Sequence, residues 1–320
     1  MDDATASAFF GPDATLTAIA LRGPALHYAE VIQDPDGTQA LRRLGVCDFD
    51  FNVDEAVLGL TGPTHLDVVI EAVKDVFRVS TAKTLLVAVH PTGLPSFFSP
   101  LPEGLAPPQR YEQLRQEAAL LADVSATQPV RIRAVPVRTE TLVIEQVPAA
   151  HRWHHVLHVP EPVHARLALI GKALGVGTYD LVDSTQAAAA VVRALDARSP
   201  IPMDAQPFTL ALGAYPSHVE MAVVHGGAWY HGHHGPIGAP EDAAYFAAAM
   251  LERVGLSTEK IGRFVLYGEM PNPEHYLLLA DLLGCMPQLL DPLAVYNRTP
   301  AGADPAALAA YVPCLGAVLR

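Results

Sequence analysis

The stretch that decides the fold is Phe208–Gly235, which reads FTLALGAYPSHVEMAVVHGGAWYHGHHG. Apolar runs separated by Gly- and Pro-containing turns predict three antiparallel strands in it. These strands are Phe208–Leu212, His218–Val224 and Ala228–His233. Downstream, Pro240-Glu241-Asp242 opens a predicted helix over Ala243–Val254, and a further strand, Phe264–Tyr267, ends at Gly268. Three antiparallel strands, a helix and a strand predict an α/β domain.

Three features elsewhere in the chain, taken with that order of elements, resemble one family. They are Val182-Asp183 before an Ala-rich helix at Ser184–Leu195, Asp291-Pro292 before an irregular segment, and a terminal Leu319-Arg320. From about residue 163 to the last residue, the chain resembles the type IV pilus assembly protein of the PilM type, a bacterial relative of actin. The resemblance implies two RNase H-like (actin-like) domains, with a small α+β subdomain inserted in the first.

The first half of the chain is consistent with that organisation. Leu16–Leu21 and Ala25–Ile32 form a predicted hairpin across Arg22-Gly23-Pro24, and LTAIALRGPALHYA is weakly similar to VEMAVVHGGAWYHG in the second half. The chain length of 320 residues suggests about two domains. The resemblance assigns residues 1–100 to the first domain, completed by about 161–195. It assigns 101–160 to the inserted subdomain and 196–320 to the second domain.

Local patterns predict the elements of this first half. They indicate helices at Leu66–Val79, Pro108–Leu121 and Arg166–Leu174, and strands at Thr84–Val89, Ile132–Arg138, Thr141–Gln146 and Trp153–Val159. The alternating CDFDFNVDE segment, with Asp48, Asp50 and Asp54, favours an ordinary strand over an acidic ligand cluster. Asp183 is interpreted as a helix N-cap.

Composition excludes several classes of function. The net charge of −13 argues against non-specific binding to nucleic acid or anionic lipid. The three cysteines lack CxxC spacing and predict reduced thiols in a cytosolic protein. No apolar run approaches about 18 residues, and the first ten residues lack the basic and apolar regions of a signal peptide. We therefore predict a cytoplasmic protein.

The nucleotide-binding elements that the resemblance implies are altered. For the first phosphate loop the only candidates are Gly11 and Asp13, in the wrong order. In the second loop, Ala211, two residues before Gly213, stands where the family has an aspartate, and Gly-Gly at the adenosine site becomes Gly268 followed by Glu269. Loss of the carboxylates removes the metal that phosphoryl transfer requires. We predict a pseudo-ATPase without ATP or Mg²⁺. An active ATPase and a filament-forming actin homologue remain the alternatives.

Two groups of histidines are candidate metal sites. They are His151, His154, His155 and His158, with His164 nearby, and His231, His233 and His234, with His225 nearby. Neither group has a cysteine or carboxylate neighbour in sequence, which zinc sites usually include. The sequence predicts polar positions on edge strands or a pH-sensitive interface, and no metal.

The resemblance also implies a partner. It predicts a scaffold peripheral to the inner membrane, in a type IV pilus or type II secretion-like platform, recruited by a cytoplasmic peptide of a single-pass membrane protein. By position, the groove would be lined from Pro95–Leu105 and Ile132–Val143, with Phe97, Phe98 and Leu101 as apolar anchors. The alternative is that the phenylalanines are core residues. Homo-oligomerisation is left open.

Overall fold

The computed structural model describes residues 14–33, 39–60, 65–123, 130–144, 147–296 and 304–319. Its first part, lobe 1, is a five-stranded sheet with order β3-β2-β1-β4-β8. The first three strands are antiparallel, and β4 and β8 run parallel to β1. The elements before the insertion are β1 (Ala14–Arg22), β2 (Ala25–Gln33), β3 (Gln39–Asp48), α1 (Val53–Leu58), α2 (Leu66–Val76) and β4 (Thr84–Val89).

A small α+β unit, here called the insert, follows β4. Its three-stranded antiparallel sheet has the order β5-β7-β6. The chain then returns to lobe 1, adds the parallel strand β8 and continues into a helix that leads to the second sheet. These elements are β5 (Ser96–Pro102), α3 (Pro107–Leu121), β6 (Arg131–Ile144), β7 (Val147–Val159), α4 (Glu161–Leu174), β8 (Thr178–Asp183) and α5 (Ser184–Asp196).

Lobe 2 repeats the topology of lobe 1, with strand order β11-β10-β9-β12-β13. Here too, three antiparallel strands are followed by two parallel ones. The elements are β9 (Phe208–Ala214), β10 (His218–His225), β11 (Ala228–Pro236), α6 (Asp242–Arg253), β12 (Ile261–Gly268), α7 (Leu277–Leu283), β13 (Pro287–Leu289), α8 (Pro305–Ala309) and α9 (Val312–Ala317). The predicted α/β class with two RNase H-like units is confirmed.

At the junction of the lobes, two helices each follow one lobe in the chain but pack on the sheet of the other lobe. Helix α5 follows lobe 1 in the chain but packs on β9, β10 and β11 of lobe 2, whereas α9 follows lobe 2 and packs on β1, β2 and β4. The two helices also contact each other, and their side chains join both sheets in one apolar core. Two further cores cover the outer faces of the sheets, beneath α1, α2 and α4 in lobe 1 and beneath α6 and α7 in lobe 2.

Several local predictions were wrong. The two strands predicted before and after residue 140 are one long strand, β6. Its pairing with β7 shifts register between Pro136 and Arg138 without ending the strand. The CDFDFNVDE segment is a strand only up to Asp48, because Asn52 caps α1 by accepting a hydrogen bond from the Glu55 amide at 3.2 Å.

The internal repeat exists, but the predicted register is off by one hairpin. Matching strand orders make β1–β2 the counterpart of β9–β10, whereas the sequence comparison aligned it with β10–β11. The turn of the first hairpin is therefore the Gly23-Pro24 segment, and its counterpart is the turn that follows Ala214. Gly11 and Asp13 lie outside the described residues. The predicted N-cap is confirmed, since Asp183 Oδ1 accepts from the amide of Thr185 at 2.8 Å.

Candidate functional site at the junction of the lobes

A buried carboxylate, Glu220, lies where the two lobes meet. It projects from β10 toward lobe 1, and one of its oxygens, Oε1, accepts hydrogen bonds from two imidazoles. His90 Nδ1, which follows β4 in lobe 1, donates at 2.6 Å, and His218 Nε2, two residues away on β10, donates at 3.2 Å. The other oxygen, Oε2, accepts from Ser184 Oγ at 2.6 Å and Tyr267 Oη at 3.3 Å. Four donors from both lobes thus satisfy one carboxylate.

The electrostatics of this cluster favour an ionised carboxylate. Burial alone would raise the pKa of Glu220, but the charge of His90 and the hydrogen bond from His218 outweigh burial and hold that pKa well below its usual range. Burial and the Glu220 charge raise the pKa values of Tyr215 and Tyr267 well above the ordinary tyrosine value. Both phenols therefore stay neutral.

Aromatic and charged side chains cover the cluster. Tyr215, in the turn after β9, stacks on His218 with ring centroids 4.8 Å apart and meets His90 edge-on at 4.9 Å. The guanidinium of Arg22, at the end of β1, lies 4.8 Å from the centre of the Tyr215 ring. Arg22 Nε also lies 3.5 Å from Glu269 Oε1, which follows β12. The end of β1, the turn after β9 and the loop after β12 are therefore in contact with one another.

The two glycines predicted as remnants of those loops serve close packing. Gly213 pairs with Tyr267 across β9 and β12, and a Cβ at Gly213 would stand 2.7 Å from the Tyr267 ring. Gly268 has φ +96°, and a Cβ there would stand 2.6 Å from the carbonyl oxygen of Ala214. Both positions require glycine because ring and backbone occupy the space of a side chain.

A second polar cluster lines a cavity of about 610 Å³ between the insert and lobe 2. His155 Nε2 on β7 lies 3.5 Å from Asp183 Oδ2. Burial lowers the pKa of His155 to about 3 and raises that of Asp183 to about 6, so both groups disfavour their charged forms. Phe98 lies against the rings of His155, Trp229 and His231, with centroids 4.4–5.2 Å apart.

The histidine predictions are corrected in part by this arrangement. Strand β7 is the central strand of the small sheet, so its histidines do not lie on an edge strand, and His151, His154, His155 and His158 are all buried. Strand β11 is an edge strand as predicted, with His231 buried and His233 and His234 half-buried.

A groove of about 670 Å³ separates lobe 1 from the insert. One wall is β8, which forms the edge of the lobe 1 sheet, together with Ala168 and Gly171 of α4. The opposite wall comes from β6 and from Tyr111 of α3. Arg133 Nε of β6 bridges the groove to Asp180 Oδ1 of β8 at 2.7 Å. An edge strand beside an open groove can accept an added strand.

None of the three predicted anchors is among the residues that line this groove. Leu101 is fully buried in the core of the insert. Phe97 packs against the same core and the end of α3. Phe97 and Phe98 both line the other cavity, beside lobe 2. Of the predicted segments, the start of Ile132–Val143 reaches the groove.

Sequence reasoning missed the cluster around Glu220. Its members come from distant positions, and His90 and Glu220 are 130 residues apart. One signal was available: Glu220 interrupts the apolar strand His218–His225, where a carboxylate needs partners. The alternation of β10 places Glu220 on the same face as Ala222 and Val224, which pack in the core between the lobes.

No protein-family model matches this sequence, and no curated protein matches it significantly. Among solved structures, the chain is similar to one from the PilM-PilN type IV pilus biogenesis complex. That alignment has a TM-score of 0.65 and 14% identity over 97% of this chain and 99% of that chain. It is also similar to a Bacteroides thetaiotaomicron protein with an actin-like ATPase fold, with a TM-score of 0.50 and 10% identity over 89% and 93% of the two chains. At these identities the likeness shows the fold, and the predicted actin-like fold is confirmed. No described helix is long and apolar enough to cross a membrane.

Proposed function

We propose that this chain is an actin-like scaffold that hydrolyses no ATP and captures a short peptide of a membrane-anchored partner. It acts in the cytoplasm, at the inner-membrane platform of a type IV pilus or type II secretion-like system. The groove between β8 and the insert is the observation that carries the proposal. The structural neighbour from a PilM-PilN complex supports this class of partner.

The groove suits an extended peptide for three reasons. Its wall β8 hydrogen-bonds with β4 on one side and is the last strand of the sheet on the other, so its backbone can pair with an added strand. Small residues, Ala168 and Gly171, widen the space beside it. The apolar parts of Tyr111 and Tyr179 flank the space and can cover alternate side chains of a bound strand.

The absence of hydrolysis is supported by the occupied junction. Tyr215, Tyr267 and the Arg22–Glu269 pair fill the region where the two hairpin turns and the loop after β12 converge. A triphosphate would need backbone amides in that region, and it would meet Glu220 and Glu269, whose charges repel it. An active ATPase would require these side chains to move away.

The test is peptide binding measured by fluorescence anisotropy. Labelled peptides would cover the cytoplasmic segments of single-pass inner-membrane proteins from the same organism. Ala168→Trp fills the groove from an exposed position of α4 and is expected to weaken binding at least about tenfold. Ala165→Trp is the matched control, since Ala165 is exposed on the same helix and does not line the groove.

Two results would contradict the proposal. One is that no segment binds the wild-type protein. The other is that Ala168→Trp and Ala165→Trp bind with equal affinity, which would place the peptide elsewhere. Circular dichroism of both variants shows whether α4 remains folded.

A further inference from the structure

The histidines and carboxylate at the junction have the chemistry of a metal site. The ligand atoms of His90, His218 and Glu220 all lie within 4.8 Å of one another, and all three residues are buried. We propose that these three residues bind one Zn²⁺ ion and thereby clamp lobe 1 to lobe 2. This inference is independent of peptide capture, because the groove and the cluster share no residue.

Two of the three separations between ligand atoms fit with small adjustments, and the third, between the two imidazole nitrogens, is at most 4.8 Å. Zinc lies about 2.0–2.2 Å from imidazole nitrogens and carboxylate oxygens, so tetrahedral ligand atoms are about 3.3 Å apart. Glu220 Oε1 lies 3.2 Å from His218 Nε2 and 2.6 Å from His90 Nδ1. The His218 ring is already at the required separation, and the His90 ring needs to retreat by less than 1 Å. Two histidines and a glutamate are an established zinc ligand set, with water in the fourth position.

The neighbours hold these ligands in place. Ser184 and Tyr267 donate to Glu220 Oε2, which leaves Oε1 as the oxygen directed at both histidines. Stacking on Tyr215, with an interplanar angle of 13°, fixes the plane of the His218 ring. Ser217 Oγ lies 3.5 Å from His218 Nδ1 and can accept a hydrogen bond from the Nδ1–H when Nε2 ligates the ion. Such outer partners are typical of metal-ligating histidines.

Charge also favours a cation. Glu220 is fully buried, and a buried carboxylate requires compensation by charge or by donors. Hydrogen bonds from His90 and His218 supply this compensation, so a metal competes with protons for the same imidazole nitrogens. The competing arrangement is a purely hydrogen-bonded cluster with no affinity for metal, and the experiment must separate the two.

The experiment titrates Zn²⁺ alone into tag-free, chelator-treated protein, with bound zinc measured by mass spectrometry after desalting. His90→Asn and His218→Gln are the diagnostic variants, because each amide can still donate to Glu220 from nearly the position of the lost N–H but ligates zinc poorly. His275→Ala, at an exposed histidine of lobe 2, and His233→Asn, in the half-buried group on β11, are the controls.

We expect one zinc ion per chain in the wild type and in both controls. Each diagnostic variant is expected to lose at least tenfold in affinity while keeping the zinc-free melting temperature. Zinc at 100-fold excess over its Kd is expected to raise the wild-type Tm by about 5 °C. The proposal is overturned if the wild type retains no zinc, if the diagnostic variants bind as tightly as the wild type, or if His233→Asn is the variant that loses the ion.

Discussion

The contact between helices α5 and α9 offers the sharpest test of how the lobes are joined. Gly316, on the buried helix α9, faces the first turn of α5 at Ala187. A Cβ at Gly316 would stand 2.5 Å from the carbonyl carbon of Ala187 and closer still to its oxygen. The substitution Gly316→Ala therefore inserts a methyl group where two helix backbones touch.

The cost follows from the distances. Ordinary van der Waals contact begins at about 3.4 Å, so α9 must move away from α5 by about 1 Å. No flexible side chain can yield, because the atoms met are backbone, and all six residues of α9 are buried. Overpacking of this kind typically costs about 1–3 kcal/mol, and we expect the upper end, about 3 kcal/mol. The greater helix propensity of alanine recovers less than about 1 kcal/mol of that.

The assay is equilibrium unfolding in urea, followed by the fluorescence of Trp153 in the insert and Trp229 in lobe 2 and by circular dichroism. Gly104→Ala is the control, because Gly104 is exposed and its Cβ would meet nothing within 4 Å. It should change stability by less than about 0.5 kcal/mol. Equal midpoints and slopes for Gly316→Ala and Gly104→Ala would refute the reasoning that close backbone packing joins the lobes.

Three further outcomes are expected. Lowering the pH from about 7 to about 5 should destabilise the fold. Burial lowers the pKa of His155 and His231 to about 3 and that of His27 to about 4. Below about pH 6.5 these histidines therefore bind protons in the unfolded chain but not in the folded chain. Each imidazole lowers the free energy of unfolding by at most about 1.4 kcal/mol per pH unit. Asp183, with its pKa raised to about 6, offsets the effect of one imidazole below pH 6. Equal stability in urea at both pH values would contradict this prediction. Leu101→Ala should cost about 2–5 kcal/mol in the same assay, and a neutral effect would contradict the burial of Leu101 in the core of the insert. Millimolar Mg-ATP should give no saturable heat in isothermal titration, and a saturable isotherm would contradict the occupied junction.

The sequence carried enough local information to predict the first three strands of lobe 2. In β9, β10 and β11, apolar runs end at glycine or proline turns, and each predicted strand lies within its observed bounds. The register of the internal repeat depended on long-range pairing instead. Both β9–β10 and β10–β11 read as apolar hairpins, and only the parallel strand β12 beside β9 shows which hairpin matches the first lobe. Local patterns cannot distinguish them.

The site was less predictable because its residues are far apart in sequence and come together only in the folded protein. The histidine-rich segments were the candidates for a metal site because they contain many histidines. The two histidines that contact Glu220 are His90 and His218, which lie outside those segments. The sequence predicted Gly213 and Gly268 as remnants of nucleotide loops but could not show that Tyr267 and the Ala214 backbone fill the space beside them. The packing of β5 likewise depends on distant elements, since its alternation directs Leu101 into the core of the insert and Phe98 toward lobe 2.

The insert adds a connection that bears on whether the lobes can move. Arg138 of β6 lies between the rings of Trp153, 4.5 Å away, and Tyr230 of lobe 2, 4.0 Å away, and it donates to the Tyr230 carbonyl oxygen. Phe98 of the insert packs edge-on against Trp229 of lobe 2 at 5.2 Å. Opening a cleft by rotation about the junction helices would break these contacts and the hydrogen bonds to Glu220 together, because they lie on both sides of the junction. A nucleotide-driven cycle requires this opening to have a low free-energy cost, whereas the proposed scaffold, which presents the groove beside β8, requires the lobes to stay in one arrangement. These contacts favour the proposed scaffold.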